Sequence, residues 1–168
     1  MSSRDLIVAE IPRLRRYARA LTGDAARADD LVQDTLERAL SRFSLWRPGN
    51  LRAWLFTIMH NIFVNQIKSA ANIDYLADEL LPDLPLRATQ SDNLELRDLD
   101  RALSRLSAEQ REVLLLVGLE DLSYEEAARI VGTPIGTVMS RLSRGRERLR
   151  ALLSGVELAA APQLKVIK

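Results

Sequence analysis

Five arginines crowd into ten residues near the end of the chain: Arg141, Arg144, Arg146, Arg148 and Arg150. Glu147 alone opposes them, so residues 139–150 carry a net charge of +4. A guanidinium fork can pair bidentately with a phosphate or with the edge of a guanine. The solvated face of an amphipathic helix can carry a similar run. A second group, Asp30, Gln33, Asp34 and Glu37, falls on one helical face opposite Leu31, Leu36 and Leu40. Such carboxylates suit a solvated face or a docking surface, and no further ligand accompanies them to complete a metal site. Thr57, Asn61, Asn65 and Lys68 form a third group at helical spacing, with His60 nearby and Trp54, Phe56 and Phe63 among the apolar residues. Amides and stacking rings beside a positive charge suit the exposed bases of unpaired DNA. Equally, the rings could be core and the amides polar surface.

What is missing narrows the chemistry. Cysteine is absent, which excludes disulfides, thiolate metal sites and thiol nucleophiles. With one histidine there is no His-pair metal site, and no nucleophile–base pair or phosphate loop stands out. We therefore expect no enzyme, no cofactor, no metal and no small-molecule substrate. The longest apolar runs, such as Val113 to Val117, are too short to cross a bilayer. Met1 to Asp5 lacks the apolar core of a signal peptide. A cytoplasmic protein without membrane insertion is expected. At 168 residues, 47% hydrophobic and 28% charged, the chain has globular composition for one domain or two small ones.

Helical periodicity dominates the elements that must hold these groups. Ile7, Ile11, Leu14, Ala18 and Leu21 form one stripe, which Pro12 either breaks or restarts, and Thr22-Gly23-Asp24 stops it and caps the next. Ala28 to Phe43 follows, then a loop over residues 45–50 with Asn50 as N-cap, then a helix from Leu51 to about Lys68. Between Ser69 and Asp92 the period fails. Two prolines, five acids and one arginine give this stretch a net −4, against +4 before it and +1 after it. It reads as an acidic linker with a short helix near Tyr75 to Leu81. Beyond it, Leu96, Leu99, Leu103 and Leu106 form a stripe. Ser107 to Gln110 and Ser123 to Glu126 are capping-box signatures. Gly132 fits a C-cap, and Thr133-Pro134 fits an N-cap with proline at the first helical position. The last helix then runs to about Leu153, followed by a weakly patterned tail. A helix of about nine residues, a tight turn and a basic second helix make a helix-turn-helix. The fold class is all-α, with no strand alternation and no internal repeat.

Three stretches, in this order, resemble the extracytoplasmic-function sigma factors of bacterial RNA polymerase. They are Ala28 to Leu36 (ADDLVQDTL), Leu51 to Ile58 (LRAWLFTI), and Ser123 to Ala128 (SYEEAA) with Gly136 to Leu142 (GTVMSRL). Singly the motifs are of moderate specificity; ordered and spaced this way they are highly specific. The likeness spans residues 5–153 apart from the linker, and Leu6 to Pro12 with Asp29 to Gln33 look like the alphaproteobacterial general-stress branch. The resemblance implies two small helical domains on a flexible linker: sigma region 2 over residues 1–70, the linker over 71–93, sigma region 4 over 94–153 and a tail over 154–168. It implies that Asp30, Gln33, Asp34 and Glu37 dock on core RNA polymerase. Trp46, Asn50, Arg52, Trp54, Thr57, His60, Asn61, Asn65 and Lys68 would open and read the −10 element of promoter DNA. Thr137, Met139, Ser140, Arg141, Ser143, Arg144 and Arg148 would read the −35 element. Family members often carry Lys or Arg where this chain has Met139, which puts one contact in question.

The resemblance further implies control by a dedicated anti-sigma factor in a stress response. Alternatively, the linker acids Asp74, Asp78, Glu79 and Asp83 could fold against the basic last helix; partner control is the favoured expectation. Two other functions compete. One is a helix-turn-helix regulator with an N-terminal sensing or dimerisation domain, although residues 1–72 show neither βα alternation nor a ligand-pocket signature. The other is a sigma mimic that titrates an inhibitor, against which the retained arginines weigh.

Overall fold

The computed structural model describes residues 2–46, 49–77 and 94–155. Eight α-helices follow one another there: α1 (Ser3–Val8), α2 (Ile11–Thr22), α3 (Ala25–Ser41), α4 (Leu51–Ala77), α5 (Leu94–Ser104), α6 (Ala108–Leu114), α7 (Tyr124–Val131) and α8 (Ile135–Ser154). No strand occurs among the described residues.

Local chemistry sets most of the boundaries. Ser2 and Asp5 cap α1 reciprocally, each backbone N–H donating to the other's side chain at 3.2 Å. Pro12 lies in the first turn of α2, where its missing N–H costs nothing, so it restarts the helix and does not kink it. Gly23 closes α2 at φ 72°, and Asp24 opens α3 by accepting from the Ala26 N–H. A 3-10 turn, Phe43–Leu45, leads toward Asn50, whose side-chain oxygen accepts from the Ala53 N–H at 3.0 Å and starts α4.

Three expected helix ends need correction. α4 runs to Ala77, nine residues past the expected end, because residues 69–77 hold no proline or glycine to stop it. The first part of the expected helix near Tyr75 to Leu81, and residues 71–77 of the expected linker, therefore belong to α4; residues 78–93 and the tail beyond Gly155 lie outside the described residues. At α6 only half the capping box forms: Ser107 accepts from the Gln110 N–H, without the reciprocal arm. At α8 the N-cap is Pro134, with extended backbone at ψ 151°, one residue later than expected. The N–H groups of Gly132 and Thr133 both donate to the Ala128 carbonyl, which commits Thr133 to the turn and leaves its hydroxyl buried without a partner. Gly132 sits at φ 70°, a conformation in which a Cβ is strained.

α6 widens into a π-helical segment, Leu115–Leu119, which ends where Asp121 takes a left-handed conformation at φ 55°. A π turn rotates less per residue than an α turn, and this keeps Glu112, Leu116 and Glu120 on one buried face.

α1 to α4 pack around Leu14, Leu21, Leu31, Leu55, Phe56 and Met59, and α5 to α8 around Val113, Leu116, Val138 and Leu142, all essentially inaccessible. Each large side chain so buried contributes about 1.5–3 kcal/mol. The two groups share one continuous apolar core. α2 lies against α5, α6 and the π segment, and α4 lies against α7. The two sets of helices are thus closed on each other.

Candidate nucleic-acid interface

The helix-turn-helix forms at α7 and α8. Ser123 and Glu126 make a complete capping box at the head of α7. The Ser123 backbone N–H, donating to the Glu126 carboxylate, holds its pKa below the usual range, helped by the Ser123 hydroxyl and by Asn50. Val138, Leu142 and Gly145 face inward from α8. Gly145 permits a close approach to α6: a Cβ there would stand 3.0 Å from Leu114 Cδ1 and 3.4 Å from Gln110 Cβ. Met139, Ser140, Ser143, Arg144, Arg146, Arg148 and Arg150 are exposed, and Thr137 is half-buried. Met139 is 50% exposed, so it belongs to the outer face and not to the core. Arg141 reaches across to Glu109 on α6 (3.4 Å), and Arg148 Nε donates to the Arg105 carbonyl (3.4 Å). Pro134 offers no side-chain cap, so the start of α8 keeps backbone N–H groups that suit an anion.

The other expected DNA-facing residues divide into free and occupied groups. Asn61, Asn65 and Lys68 are exposed along α4. Thr57 is half-buried, and its hydroxyl donates to the Ala53 carbonyl. Trp46, Trp54 and Phe43 form an aromatic cluster with ring centroids 5.2–6.5 Å apart, while Phe56 and Phe63 are core. Arg52 is clamped through two nitrogens by Glu10, at 3.1 and 3.3 Å. Asn50 Nδ2 donates to Glu126 Oε2 at 2.6 Å, and His60 Nδ1 lies 2.6 Å from Glu112 Oε2. The acidic face of α3 is open: Asp30, Gln33, Asp34 and Glu37 are all exposed, with Gln33 donating to Glu37. Leu40, expected on the inner stripe, is 46% exposed at the edge of that face, because helical spacing sets it about 20° around the axis from Gln33.

Sequence reasoning missed the residues that join the two halves. Glu120 is 2% exposed, and its oxygens lie 3.0 Å from Arg13 Nη1 and 3.2 Å from Arg16 Nη2. Tyr17 is buried against Phe56; that burial, together with Glu112 and then Glu120 nearby, pushes its hydroxyl pKa well above the usual value. Arg111 donates to the carbonyls of Leu103, Ser104 and Leu106 and, across the junction, to that of Leu21 at 2.8 Å. The i, i+4, i+8 spacing of Glu112, Leu116 and Glu120 was the available signal, because it puts two carboxylates on an apolar face.

A basic-faced helix-turn-helix, folded onto a helical unit bearing amides and rings, defines an all-helical DNA-binding protein. Family models agree on both halves: residues 7–60 match the Sigma2 domain of PhyR, and residues 96–149 match Sigma-70, region 4. The chain is 44% identical over 154 residues to the ECF RNA polymerase sigma factor EcfG of Rhodopseudomonas palustris, covering 90% of this chain and 85% of that one. Its fold is similar to that of the sigma factor RpoE in complex with the anti-sigma factor NepR from Bartonella quintana. That match has a TM-score of 0.80 and 38% identity, covering 90% of this chain and 96% of that one. A further similar structure is the PhyRSL–NepR complex of Sphingomonas sp. Fr1, at a TM-score of 0.66 and 26% identity, covering 94% and 92%. The chain belongs to the ECF RNA polymerase sigma factors.

No helix among the described residues is long and apolar enough to cross a membrane, and no cluster of three or more potential metal ligands occurs among them.

Proposed function

We propose that this chain binds core RNA polymerase through the exposed acidic face of α3 and directs initiation at a defined class of promoter. It acts in the cytoplasm and performs no catalytic step of its own. α8 reads the −35 element through Arg144, Ser140 and Ser143, with Thr137 and the start of the helix on phosphate, and Arg141 and Arg148 join after leaving Glu109 and the Arg105 carbonyl. Trp46, Asn50, Arg52, Trp54, Thr57, His60, Asn61, Asn65 and Lys68 serve the −10 element. Residues 1–70 correspond to region 2 and residues 94–153 to region 4. One observation carries this reading: α8 turns Met139, Ser140, Ser143 and Arg144 outward while Val138, Leu142 and Gly145 bind it to its own domain, in a chain of sigma-factor family. A positive face on a rigidly seated helix favours DNA through phosphate neutralisation and base-edge contacts. The likeness to RpoE, solved with NepR, supports control by an anti-sigma factor in a general-stress response.

The match of residues 7–60 to the Sigma2 domain of PhyR, with the likeness to PhyRSL solved in complex with NepR, favours a second reading, a sigma mimic that captures an inhibitor. The exposed arginines of α8 argue against it, since capture needs no DNA-reading face. Runoff transcription with core polymerase over a promoter library tests both: defined transcripts establish initiation. No transcript, together with tight inhibitor binding, supports the mimic.

A further inference from the structure

The residues assigned to −10 recognition are partly consumed by the chain itself. Glu126 of α7 takes Asn50, and Glu112 of α6 takes His60, both at 2.6 Å. Between α2 and the end of the π segment, Glu120 sits fully buried in the fork of Arg13 and Arg16. These three carboxylates all come from the C-terminal half, and their partners all come from the N-terminal half. An ionised carboxylate leaves water only when its charge is answered. Glu120 has two guanidiniums, and Glu112 Oε2 has His60 Nδ1 within hydrogen-bond distance, so these carboxylates find their partners within one chain.

We propose that Glu112 and Glu120 form an internal latch that holds the two halves closed and masks the −10 face, so that the free chain binds unpaired DNA weakly until the latch is released. The masking clause rests on the assignment of the −10 face made above; the latch itself does not. A chain that is competent only when open binds with an affinity reduced by its open fraction. Opening exposes Asn50 and His60 together, because both are held by the same rigid half. It also solvates Arg13 and Arg16, whose side chains are already 32% and 53% exposed, whereas Glu120 goes from 0% to full exposure. The carboxylate side is therefore the sensitive one.

The absence of cysteine makes the test direct. Ser41→Cys and Ser104→Cys, both at exposed positions on opposite halves, take a donor and an acceptor dye on the full chain. Energy transfer in the otherwise native chain should be high and should persist from 0.1 to 0.5 M salt, because buried pairs are poorly screened. Transfer that falls with salt would place closure in exposed charges such as those of the linker and overturn the latch. Glu120→Gln with Glu112→Gln should lower the transfer and raise affinity for a single-stranded −10 oligonucleotide about tenfold or more, the effect of losing one desolvated ion pair. Arg13→Gln with Arg16→Gln breaks the same contact from half-exposed positions, and so guards against a buried variant that fails to fold. Unchanged transfer in both double variants, with helicity retained, overturns the proposal. Opening without a gain in oligonucleotide affinity overturns the masking. Failure of runoff transcription speaks only against the assigned function, because the dye distance does not depend on it.

Discussion

Gly145→Val should separate a helix that merely carries arginines from one seated at a fixed distance. Gly145 lies in the middle of α8, where glycine costs about 1 kcal/mol relative to alanine, and no sequence pattern asks for it there. The structure supplies the reason. A Cβ at this position meets Leu114 Cδ1 at 3.0 Å and both Leu114 Cγ and Gln110 Cβ at 3.4 Å. With alanine, about 1 kcal/mol of helix propensity is set against an overpacking cost of about 1–3 kcal/mol. The tightest contact is the tip of a flexible, half-buried leucine that can turn away. Gly145→Ala should therefore stay within about 1 kcal/mol of the native chain. Valine keeps less of the propensity gain and adds two methyls beyond the Cβ, toward Gln110 Cβ, which is fixed to the backbone of α6. A loss of about 2–3 kcal/mol is expected, relieved by α8 moving away from α6. Urea unfolding measures the stability, and fluorescence anisotropy with a −35 duplex, under conditions where the variant is folded, measures the consequence. Valine should weaken duplex binding while alanine does not. A valine variant as stable as the native chain would refute the close approach, and equal DNA binding by both would refute the claim that this contact sets the reading position of α8.

Other outcomes are expected elsewhere. Arg144→Ala should cost about 1–3 kcal/mol at one promoter position if the guanidinium reads a base; a uniform loss across a duplex library would make it a phosphate contact. Met139→Lys should raise duplex affinity and steepen its salt dependence by about one phosphate contact, since Met139 is half exposed on the outer face. Asp34→Lys should weaken binding to core polymerase in a pull-down while moving stability by less than about 1 kcal/mol, because the side chain is exposed; a large fall in Tm would make the face structural. Burial raises the carboxyl pKa of Asp100, and Arg19 opposes this only in part. A carboxylate whose folded pKa is raised penalises the folded state at high pH, and the penalty disappears as pH falls below the unfolded value. Asp100→Asn should therefore stabilise the chain slightly at pH 7, by less than about 1 kcal/mol given its half exposure. The gain should vanish below about pH 4, as read by urea unfolding across the pH range.

Much of this protein is written in local pattern. The stripes of α2 and α3, the stops at Gly23 and Gly132, and the caps at Asp24, Asn50 and Ser123 depend on residues within four positions of one another, so they could be read without a fold. The outward acidic face of α3 followed from the same periodicity, whereas the residues assigned to the outer face of α8 came from the resemblance. The tertiary structure alone decided which polar groups would be spent on each other. Arg52 and His60 look free on α4, and Asn50 looks committed only to its cap, but their partners Glu10, Glu112 and Glu126 stand 42, 52 and 76 residues away in the chain. Glu120 pairs with arginines more than a hundred residues before it, which it meets from the end of the π segment. Periodicity shows which side of a helix turns away from water. Which buried charge meets which counter-charge depends on how the two halves dock, and that is fixed by shape and desolvation across the whole interface.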